Sequence, residues 1–539
     1  MRFLRAVSLI IMLSCLLPAP ASALMLSSTN IPLDSPIYLY LDKLAGFGLI
    51  KSDVKGIRPF SKAEAVRLLL EAEQNLNMLQ DNAPAFAQDL VERIRRMIPR
   101  EVSLRKNPEN RPQLIDYNPV SSIRSRIVYL NGVPRDFERL VNDPGNDGYF
   151  GIGNGLRPAC ASFPCIAVQR GSEGTPLSEN NNGVVYHQGL NAEMRWAAEG
   201  YISDVAAALV EPDILYSREG SFSLRLNRAY FKVGGGWLEL EVGKDENWLG
   251  LGYRGNITLT NNAENFTMVK LSSPEPFSIG LLSWLGDIKF KYALIASRFD
   301  RTVTDGKERQ PWFYAMKLSA KLSDNLEVGF NNSRQVGGPG VNNSMAATLR
   351  GLIGGYGTDN SNGLAGYEVR YRIPWLRNLE LYGEVSHEDS FSVQSYVAGF
   401  FIPRLTDSGR DDLRFEFFRG NQILYTHGLF VEGYNYKNMP IGESQGGATQ
   451  DYYAKYSHWF GVRHNVALEY FYTLRGGFGR LPGQAIEAKH SGRMTWNVPV
   501  YKDVDARTTY GIERVNNVNL VEGVRRTNQL MMLELRYRY

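Results

Sequence analysis

The chain of 539 residues carries a formal net charge of +4, with 43% hydrophobic, 12% aromatic and 22% charged residues. That balance gives no basis for nucleic-acid binding. Beyond Leu17 there is no apolar run of about 18 residues, so no transmembrane helix is expected and a closed barrel is the remaining way to span a bilayer.

The first residues pair a charged start (Arg2, Arg5) with an apolar run, Ala6 to Leu17, and a small-x-small site, Ala21-Ser22-Ala23. This pattern predicts a signal peptide over residues 1–23 and export of the rest. Cys15 follows Met12-Leu13-Ser14, a poor lipobox, so lipidation is not expected. Cys160 and Cys165 then form an even pair in an exported chain, a candidate small-loop disulfide, with two free loop thiols as the alternative.

Residues 24–110 read as a periplasmic helical bundle. Asp34-Ser35-Pro36 starts a helix that runs to a Gly46-Phe47-Gly48 stop. Ser61-Lys62-Ala63-Glu64 is a capping box for a second helix, with Val66, Leu69 and Leu70 on one stripe. A third presents Phe86, Leu90, Ile94 and Met97 and ends before Pro99.

Residues 111–539 read as a transmembrane β-barrel. Apolar and polar residues alternate in short runs such as Phe222/Leu224/Leu226 against Arg225/Asn227, Leu238/Leu240/Val242 against Glu239/Glu241, and Tyr367/Val369/Tyr371 against Glu368/Arg370/Arg372. Tight turns near Gly200, Gly234, Gly286, Asp324, Leu376, Ser408, Val462 and Lys502 give about 18 antiparallel strands, with both barrel ends in the periplasm. Between them lie long segments, about 131–183, 244–275, 335–363, 420–450 and 476–489, rich in Gly, Asn and Pro and expected to be extracellular loops. In the last strand Met531, Leu533, Leu535, Tyr537 and Tyr539 share one face, and Glu534, Arg536 and Arg538 the other. The terminal aromatic resembles the signal by which the barrel-assembly machinery recognises outer-membrane barrels for insertion. A soluble β-sandwich is the alternative.

Two patches resemble the capsule-assembly Wzi family. One runs from Pro32-Leu33-Asp34-Ser35-Pro36 through Leu41-Asp42-Lys43-Leu44, Gly48-Leu49-Ile50, Arg58-Pro59-Phe60 and Ser61-Lys62-Ala63-Glu64. The other is Trp248-Leu249-Gly250-Leu251-Gly252 followed by Gly255 to Phe266 with its Asn261-Asn262-Ala263 segment. The first patch is also similar to a single S-layer homology repeat, whereas wall-binding modules use several. The Wzi resemblance implies an outer-membrane protein of a Gram-negative bacterium that acts as a surface lectin, holding capsular or exopolysaccharide among outer-membrane lipids.

No phosphate-binding Gly-rich loop, His-Glu-x-x-His or Cys-x-x-Cys occurs, and no cofactor or metal is expected. His387-Glu388-Asp389-Ser390 is the one cluster with hydrolase-like residue types, and packing explains it more simply. Sugars bind aromatic faces flanked by amide and charged groups. Tyr149, Phe150, Tyr356, Tyr434 and Tyr436 are therefore candidate platforms in loops, and Arg334, Arg350 and Arg480 candidate partners for acidic sugars. The expected function is non-catalytic polysaccharide attachment, with a diffusion porin or glycan channel as the alternative and a barrel enzyme third.

Overall fold

The computed structural model describes residues 26–80, 84–107, 109, 112–143, 165–218, 221–280, 284, 286–353, 360–388 and 393–538. The expected signal peptide, Tyr149, Phe150, Cys160, Tyr356, Asp389, Ser390 and Tyr539 lie outside them. No described helix is long and apolar enough to cross a membrane.

Eighteen strands close into an antiparallel barrel. In chain order they are β1 (Ile115–Asn131), β2 (Gly189–Ile202), β3 (Ala206–Ser217), β4 (Phe222–Gly235), β5 (Leu238–Lys244), β6 (Thr267–Ser272), β7 (Lys289–Arg298), β8 (Trp312–Ser323) and β9 (Leu326–Val336). They continue with β10 (Ser361–Ile373), β11 (Leu379–Glu388), β12 (Val393–Ile402), β13 (Asp411–Gly420), β14 (Thr449–Gly461), β15 (His464–Arg475), β16 (Glu487–Tyr501), β17 (Val504–Asn516) and β18 (Arg525–Arg538). Closure is made by the terminal strand: β18 pairs with β1 in the register Val128↔Met532 and Arg124↔Arg536. A closed ring leaves no strand edge, the condition for putting a sheet into lipid.

The wall is apolar outside and charged inside. Leu224, Leu240, Val369, Leu468, Leu533 and Leu535 are exposed on the outer face, while Glu239, Lys317, Glu368, Arg370 and Glu534 are buried on the inner one. A soluble barrel would reverse this, so the alternation read from sequence has the sense that lipid demands. The expected turns fall at one end of the barrel and the long connections at the other, although the turn expected near Gly286 is the longer connection 273–288. The segment expected as one loop over 244–275 instead contains β6. With six residues, β6 is too short for its alternation of Val269 and Leu271 against Lys270 to stand out.

Among its described residues the N-terminal region has four helices: α1 (Ile37–Gly46), α2 (Lys62–Met78), α3 (Ala85–Met97) and α4 (Pro99–Lys106). The Ser61 hydroxyl accepts from the Glu64 N–H at 3.1 Å, as the capping box requires. Pro99 ends α3 as expected, yet it also opens α4, since a first-turn residue needs no N–H. The bundle shares its core with the barrel. Trp459 of β14 is 2% exposed and sits 6.1 Å, centroid to centroid, from both Tyr40 and Phe86. Lys43 reaches Asp412 at 2.8 Å, and Arg93 reaches Asp503 at 2.7 Å.

Candidate functional site: a closed lumen under a loop cap

Between α1 and α2 the chain rises into the lumen. Asp53 there accepts from Arg370 at 3.0 Å, Arg372 at 2.9 Å and Lys321 at 3.2 Å. Burial alone would raise the Asp53 pKa, but the charges of Arg370, Arg372 and Lys321 overcome it and hold the carboxyl well below its usual range. Lys55 contacts Asp42 at 2.6 Å and Glu380 at 2.9 Å, and its backbone N–H donates to Glu327 at 3.0 Å. Lys321, Glu327, Arg370, Arg372 and Glu380 of the inner wall are thus met by Asp53 and Lys55 of an ascending segment.

From the end that carries the long connections, the β5–β6 connection descends to meet it. Trp248-Leu249 forms an antiparallel bridge with Ile57-Arg58, and the Leu249 N–H donates to the Leu259 carbonyl at 3.0 Å. Its glycines are where this descent needs them. A Cβ on Gly252 would lie 1.9 Å from the Gly255 carbonyl oxygen, and one on Gly255 would lie 1.5 Å from Glu443 Oε2. The two family-like patches of the sequence are therefore two halves of one contact inside the barrel.

Over the descending loop lies a cap made mainly by the β13–β14 connection. The Tyr425 hydroxyl donates to the Ile257 carbonyl at 2.6 Å and accepts from the Glu443 N–H at 2.7 Å. Asn262 donates to the Pro440 carbonyl at 3.0 Å, and the Thr260 N–H to the Ile441 carbonyl at 2.8 Å. Glu443 is buried beside Arg254 and Asp451; burial pushes its carboxyl up to about 8 against the opposing pull of Arg254. A polar chamber of about 400 Å³ remains between α1, the 177–182 segment and Arg254, walled by Arg126, Glu469 and Arg493.

The cap corrects two sequence expectations. Tyr434 is fully buried, with its ring stacked 5.3 Å from Tyr425 and its hydroxyl donating to the Thr258 carbonyl at 3.0 Å. Tyr436 is 8% exposed and packs 5.0 Å from Phe299. Both rings fill the mouth of the barrel because their loop folds inward, so neither offers a free face to a sugar. Arg334 is also displaced from its expected loop: it lies on the outer wall at the end of β9, across Gly363.

Arg350 is exposed on α5 (Met345–Ile353), and Arg480 is exposed in the β15–β16 connection. Beside Arg480, half-buried Phe478 carries the Arg419 guanidinium 4.8 Å above its ring. Sequence reasoning overlooked Phe478, although Gly476-Gly477-Phe478-Gly479-Arg480 sets one aromatic among glycines next to a cation, a legible signal. Cys165 is disulfide-bonded, and Cys160 lies outside the described residues.

His387 and Glu388 alternate along β11 and so occupy opposite faces. The imidazole is 6.5 Å from the Tyr367 ring on the outer wall, while Glu388 accepts from the Tyr425 N–H at 3.3 Å inside. The wall separates them, so they do not form a catalytic pair. Among the described residues no cluster of three potential metal ligands occurs.

Solved structures give the architecture a counterpart. Wzi of Escherichia coli, described as an outer-membrane protein involved in group 1 capsule assembly and a carbohydrate-binding β-barrel, aligns over 95% of this chain and 99% of its own at 15% identity, with a TM-score of 0.64. OccK5 of Pseudomonas aeruginosa aligns over 78% of this chain and 97% of its own at 11% identity, with a TM-score of 0.42. No curated protein sequence matches. The family model for the capsule assembly protein Wzi covers residues 162–530, and this chain belongs to that family.

Proposed function

We propose that this outer-membrane barrel binds capsular or exopolysaccharide at the cell surface without cleaving or conducting it. The observation that carries the reading is the lumen itself. Asp53 pairs with the inner-wall cations Lys321, Arg370 and Arg372 from the periplasmic side, and residues 245–266 and 421–448 pack over that segment from outside. A diffusion porin needs the space these segments occupy. What the fold presents instead is a rigid, polar outer cap, the kind of surface on which a lectin works.

Arg480 with Phe478 and Arg419 is the part of that surface best suited to an acidic sugar, offering an apolar ring and two guanidinium groups, one from the β15–β16 connection and one from the end of β13. Tyr149, Phe150 and Tyr356 lie outside the described residues and are kept as candidate platforms; exposed Arg350 is a further candidate cation. Lipid contact by the outer wall, insertion by the barrel-assembly machinery and a non-catalytic role complete the reading.

The test is genetic and biophysical. Deleting the gene should shift polysaccharide from the cell-bound to the released fraction while total synthesis is unchanged, and the purified barrel should give no stable conductance in planar bilayers. Unchanged cell-bound polysaccharide, or steady porin-like conductance, would overturn the proposal.

A further inference from the structure

The lumen and the outer wall treat arginine differently. Inside, Arg126, Arg370, Arg372 and Arg536 each contact a carboxylate. Outside, among the described strand positions in the extracellular half of the wall, no outward-facing residue is Asp or Glu. Three exposed arginines there, Arg298, Arg514 and Arg525, have no carboxylate within ion-pair distance among the described residues, and of these Arg298 lies 5.4 Å above the Trp312 ring on the neighbouring strand.

Register brings Arg514 and Arg525 together. Arg514 on β17 pairs with Thr527 on β18, and Arg525 pairs with Asn516, so the two guanidinium-bearing positions are diagonal neighbours on the same face. His490 on β16 is directly opposite Arg514. Its imidazole stacks 4.5 Å from Tyr472, and its Nδ1 lies 2.8 Å from the Tyr470 hydroxyl. Just below come Ile512, Tyr510, Met531 and Leu533, all exposed on the lipid-facing belt. Uncompensated like charges on neighbouring strands oppose folding, so their placement at the upper edge of the belt calls for an anion at headgroup height.

We propose that Arg514, Arg525 and His490 form a site on the membrane-facing wall for the phosphate of a phosphorylated glycolipid of the outer leaflet. The guanidinium fork matches two phosphate oxygens. Tyrosine rings lie naturally at that depth, and the belt below accepts the acyl chains. The site faces the bilayer rather than the cap, so it is independent of the polysaccharide reading.

The full-length barrel is reconstituted in phosphatidylcholine nanodiscs containing either bis-phosphorylated lipid A or its dephosphorylated form, then extracted in detergent. Retained glycolipid is counted by native mass spectrometry. Phosphorylated lipid A should be retained about tenfold more than the dephosphorylated form, the scale of one charged hydrogen-bonding partner. The R514Q/R525Q double variant should lose that advantage while keeping its heat-modifiable band. Should the double variant fail to fold, the comparison of the two lipids on the unaltered protein decides alone. Equal retention of the two lipids, or unchanged preference in a folded double variant, overturns the site. Displacement by inorganic phosphate would identify a free-anion site instead, and loss of acidic polysaccharide binding without loss of lipid preference would identify a glycan site; either overturns the lipid assignment.

Discussion

Asp53 and Arg370 meet at 3.0 Å inside the barrel near its short-turn end, one carried in from the N-terminal segment and the other fixed in β10. Arg370 also donates to Glu327 at 2.7 Å and Arg372 to Glu380 at 2.8 Å, so removing Asp53 leaves an excess of buried positive charge against these remaining carboxylates. Breaking a buried pair from one side costs about 3–5 kcal/mol, because the partner stays desolvated without its counter-charge. Asp53→Asn should therefore loosen the ascending segment, and planar-bilayer recordings should show intermittent conductance absent from the unaltered protein. A silent D53N barrel would mean that the descending loop alone seals the lumen.

The residues of this contact differ in how far they can be read in advance. Alternation with Tyr367, Val369 and Tyr371 places Arg370 and Arg372 on the inner face from sequence alone, and the closed ring follows from turn rhythm and the terminal strand. Their partner is hidden. Asp53 is separated from Arg370 by 317 positions and sits in an irregular stretch with no periodicity to orient it. The cap tyrosines fail for a related reason. A loop rich in Gly and Asn reads as exposed, yet Tyr434 is buried because the lumen offers carbonyl partners such as Thr258 that no local pattern reveals. Phe478 was readable and overlooked.

Glu443 makes the cap sensitive to pH. Its carboxyl is raised to about 8, first by burial and then by Asp451 and Glu416, against the pull of Arg254; the Ser444 hydroxyl donates to it, while the Tyr425 hydroxyl accepts from the Glu443 backbone N–H. A carboxyl raised in the folded state contributes stability that is complete below its unfolded value of about 4.3. That contribution is lost as pH rises through the folded value. Hydrogen-exchange protection factors in residues 421–448, which divide out the intrinsic pH dependence of exchange, should therefore be larger at pH 5 than at pH 9, and Glu443→Gln should flatten the difference. An equal pH dependence in E443Q would place the sensitivity elsewhere.

The glycine beside it gives a steric prediction. Gly255→Ala would put a methyl carbon 1.5 Å from Glu443 Oε2, and either the carboxylate or the descending loop must move. Overpacking of this kind costs roughly 1–3 kcal/mol. Limited proteolysis should cut G255A within 421–448 at protease concentrations that spare the unaltered cap, with the barrel core still heat-modifiable.

Trp459 joins the barrel to the bundle, so its loss should separate them. The indole N–H donates to Asp412 at 2.8 Å, and Lys43 lies 5.5 Å from the centre of the ring while contacting the same carboxylate. Truncating a buried aromatic of this size costs about 3–5 kcal/mol, and here the loss falls on a helix contact rather than on strand pairing. W459A should keep its barrel, migrating as a heat-modifiable band, while amide exchange rises through α1 and α3. Global loss of the folded band would show instead that strand closure depends on the bundle, and equal exchange in both proteins would show that the ion pairs of Lys43 and Arg93 hold the helices in place unaided.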